Sequence, residues 1–317
     1  MPLEVVDVSG LVTVQDSGRK GWRQFGVPAS GPMDWFAFRA ANVLAGNPTD
    51  DAAIEIGLGD AIFQPRQDCV IAVTGAGYEL SVSAWDFPLW SSFFVRAGWK
   101  IRLNKTTGAM WAYLAVTGGV QTPPTLGSRS TYLRGRFGGS EGRQLQTGDV
   151  IPTGVSSHLS YELAARTLPD GARPTYAVHP TLDVILGPQT DYFTEESIET
   201  FLSSEYSIQL TSDRMGYRLE GPPLSLRGKT ELISEGMTFG AIQIPPNGQP
   251  IVMMADCPTT GGYPKIGAVV SADLPLLAQC VPNKSRIRFQ QTTVEKAQSR
   301  YRQLMSGLDR ILEANEM

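Results

Sequence analysis

Met33, Phe36, Ala37, Ala40, Ala41 and Leu44 recur at the spacing of one helix face, which predicts a helix over about 32–45. Pro32 suits the first helical position, Asp34 the first turn and Gly46 the stop. Trp35, Phe38 and Asn42 fall on a second face. The two aromatics are expected to pack on a sheet as well, and an amide buried between them needs partners. A longer stripe near the C-terminus, Val294, Ala297, Tyr301, Leu304, Met305, Leu308, Ile311 and Leu312, predicts a helix over about 293–313. Thr292 is its expected cap, with Glu295 completing a capping box. A third, short helix is expected near 195–202. Elsewhere apolar residues come in short runs between Gly and Pro turns, at 11–16, 70–73, 111–116, 182–186 and 250–255. Runs of this kind read as strands, so the chain is predicted to be mainly β with a few helices.

The pattern repeats. Ser17, Arg19, Gly21, Trp22, Arg23, Gly26 and Pro28 have the same spacing as Ser212, Arg214, Gly216, Tyr217, Arg218, Gly221 and Pro223. Residues 55–65 echo 235–245, and Ile101-Arg102-Leu103 resembles Ile287-Arg288-Phe289. Two related halves follow, 1–170 and 180–317, joined by a polar, Pro-containing linker over 156–180. The first half carries the inserted helix and a Gly/Arg-rich loop over 127–143. That loop reads either as an anion, substrate or subunit contact, or as a solvated surface loop.

Composition narrows the chemistry. With 27 basic and 31 acidic residues the net charge is −4, so no basic surface is available to track a nucleic-acid backbone. Cys69, Cys257 and Cys280 sit in apolar surroundings at no metal-ligand spacing, which fits reduced, buried thiols. No N-terminal segment pairs basic residues with an apolar core, and the expected location is the cytoplasm. Only two histidines are present, His158 and His179. A Ser-His-Asp triad, a Cys-His dyad and a multi-histidine metal centre are therefore set aside. Chemistry here must use carboxylates, Lys, Arg, Tyr, hydroxyls and backbone amides.

One stretch concentrates such groups. The apolar run over 250–255 stops at Asp256, and Thr259, Thr260, Gly261, Gly262, Tyr263 and Lys265 follow with little apolar filler. Twin glycines permit close backbone approach and positive φ. The stretch reads either as a binding loop at a strand end or as a tight turn closed by Thr hydroxyls.

These motifs resemble a known family. Val14-Gln15-Asp16, Gly26-Val27-Pro28, Ser30-Gly31-Pro32-Met33-Asp34, Ala41-Asn42, Ser212-Asp213-Arg214-Met215-Gly216-Tyr217-Arg218 and Thr259-Thr260-Gly261-Gly262-Tyr263-Pro264 are similar to the KipA family. It is also called the biotin-dependent carboxyltransferase family or allophanate hydrolase subunit 2. The resemblance implies two duplicated cyclophilin-like β-barrel halves. It also implies one of three activities. The first is a part in ATP-dependent 5-oxoprolinase, a hydrolase opening a cyclic amide to give L-glutamate with partner subunits A and B, the KipI-like one of the two being the direct contact. The second is a biotin-dependent carboxyltransferase component acting on urea or another amide. The third is a regulatory protein that antagonises a KipI-like sensor-kinase inhibitor. The chain has no Ala-Met-Lys-Met biotin-attachment motif and no Walker-type loop, so biotin or ATP would be supplied with a partner.

Roles follow as expectations. Asp256 accepts a substrate N–H or acts as base, or else caps a turn. Lys265 and Tyr263 stabilise negative charge. Thr259, Thr260 and the amides of Gly261 and Gly262 hold a carbonyl or oxyanion. Asn42, carried over from the family's helix motif, supplies an orienting amide. Arg214 and Arg218 bind a carboxylate, or are structural because the motif occurs twice. No metal is expected.

Overall fold

The computed structural model describes residues 2–154, 163–228 and 232–313. His158 and residues 156–162 of the expected linker lie outside them, as do the side chains of Ile311 and Leu312. The chain divides into two units. One comprises residues up to Arg19, Ser30–Pro174 and the chain from Leu304 onward; the other comprises Lys20–Ala29 and Thr175–Gln303. The expected halves had placed both exchanged segments with the other partner.

The first unit contains β1 (Pro2–Val8), β2 (Leu11–Gln15), α1 (Trp35–Leu44), β3 (Ala53–Gly57), β4 (Ala61–Pro65), β5 (Cys69–Gly75), β6 (Tyr78–Val82), β7 (Trp85–Phe87), β8 (Ser91–Val95), β9 (Ile101–Lys105), β10 (Trp111–Val116) and β11 (Val150–Pro152). They form two sheets, ordered β11-β1-β4-β9-β6-β7 and β2-β3-β10-β5-β8. Alternation sorts the side chains. Val12, Val14, Ile54, Ile56, Ile71, Val73, Ala112 and Leu114 meet Leu3, Val5, Phe63, Leu80, Ile101 and Leu103 in one core. Each such residue contributes about 1.5–3 kcal/mol on burial. The opposite face of the second sheet is covered by α1, which explains why β3, β5 and β10 are buried along their whole length.

That covered face carries a polar row. Thr13, Glu55, Tyr113 and Thr74 stand side by side across β2, β3, β10 and β5. Tyr113 Oη donates to Glu55 Oε2 (2.8 Å) and accepts from Asp34 N (2.8 Å), and Glu55 Oε2 accepts from Met33 N (2.7 Å). Asp34 is the N-cap of α1, accepting from Ala37 N at 2.9 Å, and not a first-turn residue. Burial, then the neighbouring Glu55, hold the Tyr113 phenol well above its ordinary range, so it stays a donor. Phe38 is buried as expected, edge-on to Tyr113.

The Gly/Arg-rich loop is neither open nor solvated throughout. Ser128, Ser130 and Thr131 are buried, and the Asp16 carboxylate gathers both serine hydroxyls and the Arg129 amide. Arg143 pairs bidentately with Asp149 (2.7 and 2.9 Å). Arg19, also buried, donates to the Thr125 and Ser130 carbonyls and lies over the Phe137 ring.

The second unit contains β12 (Thr181–Leu186), α2 (Glu195–Ser203), β13 (Glu205–Ile208), β14 (Gly216–Glu220), β15 (Glu235–Gly236), β16 (Ala241–Gln243), β17 (Ile251–Met253), β18 (Thr260–Gly261), β19 (Lys265–Val269), α3 (Leu274–Ala278), β20 (Arg286–Gln291) and the start of α4 (Val294–Glu313). Seven strands close a barrel in the order β12-β19-β16-β17-β14-β13-β20, and β15 pairs with β18 separately. The cap of α4 is Thr293, whose hydroxyl accepts from Lys296 N at 3.4 Å, one residue later than expected. Val294, the first member of the predicted stripe, is exposed. Arg300 ties α4 to the barrel by bonding Asp183 and the buried Asp273.

Candidate functional site

The site loop grows out of the β14–β17 ladder. Gly216 stands opposite Met253, so the residues before β14 run beside those after β17. Met254 N donates to Met215 O (3.0 Å) and Asp256 N to Arg214 O (2.8 Å). Asp213 shapes the approach by accepting from Met215 N (2.8 Å) and Gly216 N (3.3 Å), a turn built by a short polar side chain. Arg214 and Asp256 are thereby brought together, Nε to Oδ2 at 3.0 Å and Nη2 to Oδ1 at 3.3 Å, both buried. Both carboxylate oxygens are engaged by the guanidinium. The base role expected of Asp256 is not supported by this geometry, which makes the residue a fastener of the loop's first turn.

Beyond Asp256 the chain is laced to the 232–244 segment. Met237 N donates to Thr259 O (3.0 Å), Leu232 N to Gly262 O (2.8 Å) and Ile244 N to Pro264 O (2.9 Å). Thr260 and Gly261 pair with Gly236 and Glu235, and Gln243 Nε2 donates to Tyr263 O (3.2 Å). Neither Gly261 nor Gly262 has the positive φ expected of it. Glycine is required at 261 by crowding: a Cβ there would lie 2.6 Å from Gln243 Nε2 and 3.0 Å from Met237 Sδ. The Thr260 and Tyr263 side chains face solvent.

Lys265 sits where this loop enters β19. Its Nζ bonds Glu235 Oε1 (2.7 Å) and Gly236 O (3.2 Å). Gln189 closes the group, accepting from Lys265 N (2.8 Å) and donating to Glu235 Oε1. Lys265 first, then Gln189, hold the Glu235 carboxyl below its usual range. Arg23, on the Lys20–Ala29 segment of the same unit, donates to Met237 O. It also lies beside Cys257, whose thiol burial nonetheless pushes up; a protonated, buried thiol is no nucleophile at neutral pH.

The predicted site residues therefore divide. Lys265, Thr259, Thr260, Gly261, Gly262 and Tyr263 share one loop, with Asp256 and Arg214 fixing its root. Arg218 is exposed on β14, while Arg214 is buried, so they form no common carboxylate clamp. Asn42 is fully buried in the first unit, donating to Asp51 O (2.8 Å) and accepting from Asn47 Nδ2 (3.2 Å). Its amide secures the end of α1. Glu235 and Gln189 were not expected at the site. They lie 30 and 76 residues from Lys265, and only the sheet register brings them to it.

The residues fit no nucleotide phosphate. Each α-helix start among the described residues already meets a carboxylate: Asp34 on α1, Glu195 and Glu196 on α2, Asp273 on α3 and Glu295 on α4. A phosphate there would face repulsion where it needs bare amides. Among the described residues there is also no cluster of acidic, His or Cys groups fit for a metal ion, and no helix long and apolar enough to cross a membrane.

A mainly β chain with a seven-stranded barrel and a lysine–carboxylate pair on a glycine-rich loop has clear relatives. The profile of the carboxyltransferase domain, subdomain A and B, matches residues 25–291, and the chain belongs to that family. It is 40% identical to the 5-oxoprolinase C subunit of Haemophilus influenzae over 98% of this chain and 97% of that protein. With the Escherichia coli 5-oxoprolinase C subunit it shares 39% identity over 93% of each. Among solved structures, the Kluyveromyces lactis urea amidolyase superposes with a TM-score of 0.91 at 29% identity, over 98% of this chain and 20% of that one.

Proposed function

We propose that this chain is a subunit of a cytoplasmic, ATP-dependent 5-oxoprolinase, cleaving 5-oxo-L-proline to L-glutamate together with partner subunits A and B. The supporting observation is end-to-end similarity: the match to the Haemophilus influenzae protein spans 97% of its length. The site loop is the part that holds the cyclic amide. The Lys265 ammonium faces the amide oxygen and stabilises negative charge there. Thr259, Thr260 and Tyr263 supply hydroxyls around it, and the Arg214–Asp256 pair keeps the loop in place. The nucleotide is held with a partner subunit, and the KipI-like partner is the direct contact.

Reconstitution tests this. The purified chain is mixed with candidate A and B subunits, ATP and 5-oxoproline, and glutamate and ADP are measured. Turnover that needs all three chains is expected. Turnover by the two partners alone, at the same rate, would remove this chain from the reaction. A second reading, a carboxyltransferase component acting on urea or another amide, is favoured by the superposition on the Kluyveromyces lactis urea amidolyase. It requires biotin carried by another chain, so a biotinylated partner should be detected by streptavidin blotting.

A further inference from the structure

Lys265 and Glu235 keep hydrogen-bonding capacity that the fold does not fill. A lysine ammonium has three N–H donors. Nζ of Lys265 places one on Glu235 Oε1 and one on Gly236 O; among the described residues the third meets no acceptor. Glu235 receives both Lys265 Nζ and Gln189 Nε2 on Oε1; among the described residues its Oε2 meets no donor. The two side chains are 17% and 41% exposed, so a small solute reaches them.

The pair is also fixed in orientation. Gln189 Oε1 accepts from the Lys265 backbone while its Nε2 donates to Glu235. Turning that amide over would set donor against donor and acceptor against acceptor. An open donor and an open acceptor, side by side and held still, complement a molecule that offers an acceptor and a donor on one edge. An amide does so only when its N–H lies on the same side as its C=O. Ring lactams are forced into that arrangement, and ureas and primary amides have it as well. An open-chain secondary amide is trans, with the two groups pointing opposite ways.

We propose that the Lys265–Glu235 pair, held by Gln189, reads the cis edge of an amide, with Nζ donating to the carbonyl oxygen and Oε2 accepting the N–H. The proposal rests on the reading above that this loop holds an amide substrate, and it adds Glu235 as a binding residue and Gln189 as a positioning residue.

The test varies the ligand as well as the protein. The full chain, alone and assembled with its partners, is titrated calorimetrically with 5-oxoproline, N-methyl-5-oxoproline and the trans amide N-acetylalanine. N-methylation removes the donor and should weaken binding about ten- to a hundred-fold, the usual loss for a hydrogen bond to a charged group. N-acetylalanine should be weakened similarly. In the assembled enzyme Glu235→Ala should raise KM for 5-oxoproline by at least about tenfold and abolish the discrimination against the N-methyl compound. Equal binding of methylated and unmethylated lactams by the wild type, or discrimination that survives Glu235→Ala, would overturn the proposal even in an active 5-oxoprolinase. If the complex does not turn over 5-oxoproline, the same comparison with 2-pyrrolidone and its N-methyl derivative decides. Discrimination there keeps this proposal and removes only the assigned reaction; its absence removes this one too.

Discussion

Arg214 and Asp256 meet one step past the last rungs of the β14–β17 ladder, joined through both backbone and side chains. Removing one partner of such a buried pair strands the other charge. Arg214→Ala or Asp256→Ala should each destabilise the fold by about 3–5 kcal/mol. An Arg214→Met, Asp256→Leu double exchange should cost less than either single change. Chemical denaturation of the three proteins checks this; a fully stable Asp256→Ala protein that lacks activity would instead restore a direct chemical role for the carboxylate.

Arg300 should matter more at neutral than at acidic pH. Burial raises the Asp273 carboxyl above its ordinary value, and Arg300 offsets part of that. A raised carboxyl favours folding below its unfolded pKa and loses that advantage as pH rises through the folded value. Arg300→Ala moves that value further up. Because Arg300 is partly exposed, the loss at pH 7 should fall between the about 1 kcal/mol of a surface pair and the roughly 3–5 of a buried one. At pH 4 it should be smaller, as melting curves at the two pH values would show.

The twin glycines should differ. Gly261→Ala drives a methyl against Gln243 and Met237, and overpacking of that kind costs about 1–3 kcal/mol. At Gly262 the nearest atoms to a Cβ are Leu232 O at 3.2 Å and Ser234 Oγ at 3.5 Å, so Gly262→Ala should be tolerated with a slight shift. Thermal unfolding of both variants gives the comparison.

Glu235 stays ionised to lower pH than a free glutamate because Lys265 and Gln189 bond it. Its contribution is present above the ordinary value of about 4.5 and fades as pH falls through the depressed one. KM for the amide substrate should therefore be insensitive to Glu235 between about pH 5 and 9. Gln189→Ala should shift the acid limb upward and raise KM with little change in kcat, a split that loss of folded protein alone does not produce.

Much of the architecture is visible in the chain itself. Wherever one face of a strand or helix meets a core, apolar residues mark it, as at β3, β5, β10 and α1. What pattern cannot supply is register. Arg214 and Asp256 are 42 residues apart, and nothing local to either announces the other. The repeated motif shows a second limit. Gly216-Tyr217-Arg218 opens β14, because β17 is there to pair with it. The matching Gly21-Trp22-Arg23 instead enters a single 3-10 turn over Arg23–Phe25, flanked by Gly21 and Gly26 at positive φ. Like letters take unlike shapes when one copy has a neighbouring strand and the other has left-handed glycines.

The placement of Lys20–Ala29 carries a consequence for how such a polypeptide is inherited. A gene broken between the two halves would not give two self-sufficient products. The downstream product would lack Arg23 and its hold on the Met237 carbonyl. Any ancestor that fused two separate cistrons had to rewire this decapeptide afterwards, and a viable modern fission would have to transplant it.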